Sequence, residues 1–169
     1  MDYLGLIDRS KLHYKRSDVT PIFAEPAAFA ALTEDLAAPF RDAGVGRVAG
    51  TDALGFIVGT AVALRLGVGF VPLRKGGKLP VRKETAVFRD YSGAEKALEL
   101  RAEPWPPGTR VLLIDEWIET GAQARAAAEL IERAGGVVAG IAAIAFRRNA
   151  GTAPLWERYR CHSVWPEQP

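Results

Sequence analysis

Two acids and a run of small residues mark where this chain can do chemistry. Asp115 and Glu116 stand side by side directly after the apolar run Val111–Ile114, and Glu119-Thr120-Gly121-Ala122-Gln123 follows two residues later. A short, fully apolar run reads as a buried parallel strand. In an open α/β sheet, ligands sit beyond the carboxyl ends of the strands. Adjacent carboxylates in that place can accept hydrogen bonds from vicinal hydroxyls, such as those of a ribose. Thr120-Gly121-Ala122 then leads into a helix, whose first N–H groups and positive dipole end suit a phosphate. Small residues let the backbone approach the phosphate oxygens closely. The same residues also read as a strand-to-helix turn with an acidic cap and nothing bound. No Gly-Lys-Ser/Thr follows the strand, so this is not a Walker loop.

The flanking sequence must hold these groups in place. Phe29, Leu32, Leu36 and Phe40 recur at helical spacing from Pro26 onwards, and Gly44 and Gly46 stop that helix. Arg47–Ala49 reads as a short strand, Phe56–Leu66 as a buried helix ended by Gly67, and Val68–Leu73 as an apolar strand. Arg74 to Lys83 is a basic loop that also reads as a solvated face. Thr85–Phe88 and Ala97–Leu100 are expected to pair around Tyr91-Ser92-Gly93. A helix running to Ala134 presents Ala127, Leu130, Ile131 and Ala134 on one face, and Val137–Phe146 is the next strand. Strand, loop, helix, strand is a βαβ unit, which favours a parallel sheet with right-handed crossovers.

Composition narrows the class. The 169 residues fit one domain with its own core, and 49% hydrophobic with 25% charged residues reads as globular. A net charge of +2 argues against a dedicated nucleic-acid binder, so any anion site must come from local placement. The basic cluster Lys11, Lys15, Arg16 is too small to change that. The one cysteine, Cys161, forms no internal disulfide, and no Cys/His spacing suits zinc. Met1–Ser10 lacks a signal-peptide core, and no apolar run is long enough to span a membrane. The cytoplasm is the expected address, with no nucleic-acid or membrane partner.

The stretch Val111–Gln123 resembles the PRPP-binding motif of type I phosphoribosyltransferases. Gly50-Thr51-Asp52-Ala53-Leu54-Gly55-Phe56-Ile57-Val58-Gly59, continued by Ala63 through Pro80, resembles the pyrophosphate loop, helix and basic strand end of the adenine phosphoribosyltransferase family. Asp18-Val19-Thr20-Pro21 resembles that family's hood motif. The likeness runs from Tyr14 to Phe146. It implies an α/β fold of the type I phosphoribosyltransferase kind: a central, mostly parallel sheet flanked by helices, with a small hood from the N-terminal segment. One domain over 1–169 follows, with the hood at about 1–25, the core at 26–146 and a tail at 147–169.

The resemblance also implies a reaction and a set of roles. A nucleobase, a purine and adenine before others, attacks C1 of the ribose of PRPP, and pyrophosphate leaves. Magnesium (Mg2+) is bound with PRPP, with no direct protein ligand to the metal, and the molecule is a homodimer. Asp115 and Glu116 would hold the ribose hydroxyls, and Glu119, Thr120, Gly121, Ala122 and Gln123 the 5′-phosphate. Asp52, Ala53, Leu54 and Gly55 would meet the pyrophosphate, which Arg74, Lys75 and Lys78 would neutralise. Asp90 and Glu119 are the candidate proton-handling residues. Ser17, Asp18 and Trp117 are the weaker candidates for the base, with core or wall packing slightly ahead for Trp117.

The match has departures. Glu116 stands where the motif has Asp. Glu119 replaces the Ala of adenine enzymes, at the position where hypoxanthine-guanine enzymes carry an Asp that meets the purine N7. Gln123 replaces a hydroxyl residue, Leu54 an Arg on the pyrophosphate, and Ser17 an Arg of the hood. Asp90-Tyr91 stands for the family's Glu-Tyr lid pair, with Ser92 inserted before Gly93. These changes leave two alternatives: a regulator that binds PRPP or a nucleotide without turnover, and an enzyme for another base. Arg147 and Arg148 read as a solvated strand end in preference to a site-facing pair, and Cys161 and His162 as structural.

Overall fold

The computed structural model describes residues 2–10, 17–90 and 92–165. The cluster Lys11, Lys15, Arg16 and the lid residue Tyr91 lie outside that range. Helices α1 (Thr20–Ala24) and α2 (Pro26–Ala37) precede strand β1 (Arg47–Thr51), helix α3 (Leu54–Leu66) and strand β2 (Gly69–Lys75). An antiparallel pair follows, β3 (Lys83–Arg89) and β4 (Glu95–Arg101). Then come β5 (Arg110–Ile118), α4 (Ala122–Arg133), β6 (Val137–Phe146), α5 (Ala153–Arg158) and β7 (Cys161–Ser163). The strands form one sheet in the order β3-β4-β2-β1-β5-β6-β7. From β2 to β7 the pairing is parallel, and β4 joins β2 antiparallel.

Strand alternation splits the interior into two layers. Val48, Leu112, Ile114, Ala142 and Ile144 face α2 and α3, where Leu32, Leu36, Val58 and Val62 meet them. Ala49, Val111, Leu113, Ile141 and Ala143 face the other way, onto Ala127, Leu130 and Ile131 of α4. This is the period-2 alternation of a strand buried on both faces. Pro26 opens α2 at its first position, where no N–H is needed. Gly67 closes α3 in the left-handed conformation, φ +69°.

The N-terminal segment folds back on itself. Asp8 and Asp18 exchange backbone hydrogen bonds at 2.9 Å, and the Tyr3 hydroxyl donates to Asp35 of α2 at 2.6 Å. Tyr3, Ile7, Val19 and Ile22 join the α2 and α3 layer, and so does Trp165 from the far end of the chain. The described part of the tail, 147–165, carries α5 and β7. Leu155 is buried, the Trp156 ring lies 4.6 Å from Phe146, and β7 pairs with β6. Among the described residues, no helix is long and apolar enough to cross a membrane.

Candidate functional site

The chain leaves β1 to one side for β2 and later returns on the other side as β5, so the carboxyl ends of β1 and β5 flank a switch point. Ligands of open α/β sheets bind in that crevice. A cavity of about 760 Å³ lies there. Its floor is Asp115, Glu116, Trp117, Ile118, Glu119, Thr120, Gly121, Gln123 and Ala124. One wall is Asp52, Ala53 and Leu54, and the other comes from the hairpin side: Lys75, Gly76, Phe88, Asp90, Glu95, Lys96 and Ala97.

Asp115 is 3% exposed inside β5, which continues to Ile118 instead of ending at Ile114 as the apolar run suggested, because Asp115, Trp117 and Ile118 stay paired with β6. Its Oδ1 accepts the Glu116 N–H at 2.8 Å and its Oδ2 accepts Nε2 of Gln123 at 3.0 Å. Buried carboxylates need such donors. Glu116, one residue further on, lines the cavity. Gly121 caps α4 with φ +73°, a conformation that favours glycine, so the helix starts beside the cavity-lining residues Thr120, Gly121 and Gln123. Arg125 ties this loop down, donating to the carbonyls of Thr120 and Gly151. Ala122 itself is not among the lining residues.

The loop between β1 and α3 packs tightly on β5. A Cβ at Gly55 would come within 3.1 Å of the Ile114 carbonyl and 3.3 Å of the Asp115 carboxylate, so a larger residue would have to push one of them back by a few tenths of an ångström. The Thr51 hydroxyl is buried and has no hydrogen-bond partner among the described residues. Asp52 gathers the basic segment: its Oδ2 lies 3.6 Å from Nε of Arg74 and 3.8 Å from Nζ of Lys78, and accepts the Lys75 N–H at 3.4 Å. Of the three cations, Lys75 lines the cavity, while Arg74 and Lys78 connect to it through Asp52.

Glu119 lines the cavity with its side chain about a third exposed, and Nη1 of Arg147 lies 4.0 Å from Oε1. Its carbonyl accepts Nδ2 of Asn149 at 2.7 Å. Arg147 is exposed just beyond β6, as the sequence suggested, and from that strand end its guanidinium comes within 4.0 Å of Glu119. Arg148 behaves differently and lies 3.8 Å from the centre of the Trp156 ring. Asp90 lines the cavity as a turn acid. Its carboxylate accepts the Ser92 hydroxyl at 2.5 Å, the Ser92 N–H at 2.8 Å and the Ala94 N–H at 3.2 Å. The Ser92 hydroxyl bond, chief among these, holds its carboxyl below the usual range. That favours a hydrogen-bond acceptor over an acid.

Trp117 combines both readings made of it. It lines the cavity and packs edge-on against Trp165, with ring centres 5.6 Å apart. Ser17 and Asp18 lie outside the cavity lining, and Asp18 accepts both the Thr20 N–H and the Thr20 hydroxyl, at 2.9 and 2.8 Å. Cys161 and His162 lie away from this cavity. Burial pushes the Cys161 thiol up to about 12 and lowers the His162 imidazole.

Sequence reading missed Glu99. It is 4% exposed on β4, and its carboxylate accepts the backbone N–H groups of Gly77, Lys78 and Leu79 at 2.8, 3.2 and 3.0 Å. Nζ of Lys83 donates to it at 2.6 Å. The Lys83 bond above all, with the Gly77 and Leu79 N–H bonds, draws its pKa down to about 2. The signal was an acid between Leu98 and Leu100 in an apolar run.

This geometry has close relatives. The adenine phosphoribosyltransferase of Streptomyces coelicolor is 48% identical over 128 residues, covering 75% of this chain and 69% of that protein. The APRTase of Giardia lamblia, solved with 9-deazaadenine, superposes with a TM-score of 0.89 at 32% identity, over 99% of this chain and 97% of its own. The chain belongs to the adenine phosphoribosyltransferase family. A Saccharomyces cerevisiae member of the family, complexed with an imino-altritol bisphosphate and adenine, matches at TM-score 0.87 and 26% identity, covering 97% of both chains. No protein-family model matches the chain. With its seven-stranded, mostly parallel sheet and flanking helices, the molecule has the type I phosphoribosyltransferase fold, and it is a phosphoribosyltransferase.

Proposed function

We infer that the reaction is transfer of 5-phosphoribose from PRPP to adenine, yielding AMP and pyrophosphate. The observation that carries this is Asp115. A buried carboxylate, already oriented by two protein donors, faces the cavity beside the α4 N-terminus on one side and the Asp52–Gly55 loop on the other. A sugar with a phosphate at each end fits that order of groups. Asp115 and Glu116 accept the ribose hydroxyls, the first turn of α4 takes the 5′-phosphate, and the loop after β1 takes the pyrophosphate with Lys75.

Pyrophosphate departure builds negative charge on the leaving group, and fixed donors stabilise it at no cost of reorganisation. Arg74 and Lys78 are held by Asp52 in the ligand-free chain, so a bound pyrophosphate competes with Asp52 for them. The cavity lining carries six acidic side chains, Asp52, Asp90, Glu95, Asp115, Glu116 and Glu119, against two lysines, Lys75 and Lys96. A polyanion entering it needs accompanying positive charge. Magnesium carried in on PRPP would supply that charge from the ligand side, since among the described residues no group of three or more His, Cys, Asp or Glu is placed to hold an ion. Glu119, oriented by Arg147, is the acceptor for an N–H of the base, with Asp90 as the acceptor on the hairpin side. Trp117 walls the base subsite.

Apolar Ile57 and Leu64, 45% and 78% exposed on α3, support a homodimer through that helix. A salvage reaction on PRPP belongs in the cytoplasm. Incubating the protein with PRPP, magnesium and adenine, hypoxanthine, guanine or orotate tests the reading. Pyrophosphate release with adenine supports it; release with another base alone reassigns the base, and binding without release marks a sensor.

A further inference from the structure

Helix α4 begins with backbone N–H groups on Ala122, Gln123 and Ala124, ahead of the first bond of the helical turn, from Arg125 N–H to the Gly121 carbonyl at 2.9 Å. The Ala122 N–H has a long contact to the Thr120 hydroxyl at 3.4 Å, which leaves the N–H groups of Gln123 and Ala124 and the hydroxyl's own proton for an anion without help from the Gln123 side chain. That side chain is committed elsewhere: its Nε2 donates to Oδ2 of Asp115 at 3.0 Å, while Oδ1 accepts the Glu116 N–H at 2.8 Å. A carboxylate offers about four lone-pair positions over its two oxygens. One fixed donor on each oxygen stops the group from rotating and leaves an acceptor site on each for a ligand in the cavity.

We propose that Gln123 is a positioning residue for ribose recognition. It holds Asp115 in the orientation that accepts the sugar hydroxyls, and the 5′-phosphate is taken by the backbone of the loop with the Thr120 hydroxyl. This rests on the phosphoribosyltransferase reading above. A hydroxyl residue at this position cannot replace it. A threonine oxygen sits on Cβ, two bonds short of the glutamine amide nitrogen, and does not span the distance to Asp115. The exchange of a hydroxyl for an amide is thus a change of partner, from phosphate to carboxylate.

The test titrates AMP and 2′,3′-dideoxy-AMP against the wild type, Gln123→Ala and Gln123→Thr, with thermal melts of all three. The wild type is expected to prefer AMP. Both variants are expected to lose about tenfold in AMP affinity, the usual size for a hydrogen bond to a charged group, and little for the dideoxy ligand. The hydroxyl preference then collapses in both. Equal loss for both ligands in Gln123→Ala, recovered in Gln123→Thr, identifies a phosphate donor and overturns the proposal. A variant that melts like the wild type and keeps the full preference for AMP also overturns it. A wild type that binds neither nucleotide overturns the underlying reading instead.

Discussion

Asp115 accepts two hydrogen bonds inside the protein before any ligand arrives, so its charge can be removed with its shape kept. Asp115→Asn retains one acceptor oxygen and is expected to cost only about 1 kcal/mol of stability, while kcat/KM for PRPP falls about 10- to 100-fold. Thermal melts and steady-state kinetics on one preparation check both parts. Leu54 lies in the cavity wall where the resemblance places an arginine. Leu54→Arg is expected to lower KM for PRPP several-fold, with the gain shrinking as salt is raised. Unchanged KM at low salt would show that the side chain does not reach the pyrophosphate. The acids at 115 and 116 and the glycine turn at 121 were legible because they sit at fixed offsets from an apolar strand. The hydrogen bond from Gln123 to Asp115 was not, since residue type alone does not say which way an amide points. The approach of Arg147 to Glu119 was not legible either, because the two follow the paired ends of β6 and β5 and are far apart in sequence.

At the scale of elements, Glu99 organises the basic segment. Three backbone N–H groups and Lys83 converge on it, so residues 77–79 are tied to β4 while Asp52 holds Arg74 and Lys78 from the other side. Its pKa is drawn from the ordinary 4.5 to about 2. The folded state therefore binds this proton less readily than the unfolded chain. The resulting stabilisation is complete above about pH 4.5 and is lost progressively as pH falls towards about 2. Glu99→Gln is expected to lower Tm at pH 7 and to flatten its decline across that acid window. Parallel slopes for variant and wild type between pH 4.5 and 2 would count against the assignment. Most strands and helices from Pro26 to Phe146 were legible, α2 and α4 from helical spacing and the others from apolar runs bounded by glycine or charged residues. Helix α5 and strand β7 were not. They are short, and long-range contacts hold them: Arg158 and Tyr159 to Glu132, Trp156 to Phe146, and the Ser163 hydroxyl to the Phe146 N–H.

For the molecule as a whole, the sheet order sets one crevice between β1 and β5, and every strongly argued site residue except Gly55, Ala122, Arg74 and Lys78 lines it. Of those four, Gly55 packs against Ile114 and Asp115, Ala122 opens α4, and Arg74 and Lys78 approach Asp52. The hood candidates Ser17 and Asp18 do not line it; Asp18 pairs with Asp8 through the backbone, and its carboxylate accepts the Thr20 N–H and hydroxyl. If α3 pairs two copies, Leu64→Glu is expected to shift the protein from dimer to monomer in sedimentation velocity, and a wild-type monomer at micromolar concentration would rule that interface out. The most direct test of the central claim is a pyrophosphate-release assay with PRPP, magnesium and adenine, run on the wild type and on Asp115→Asn. The account expects AMP and pyrophosphate to appear together in the wild type and to fall at least tenfold in the variant. No release from a folded wild type with any of the four bases, or equal release from both proteins, would contradict it.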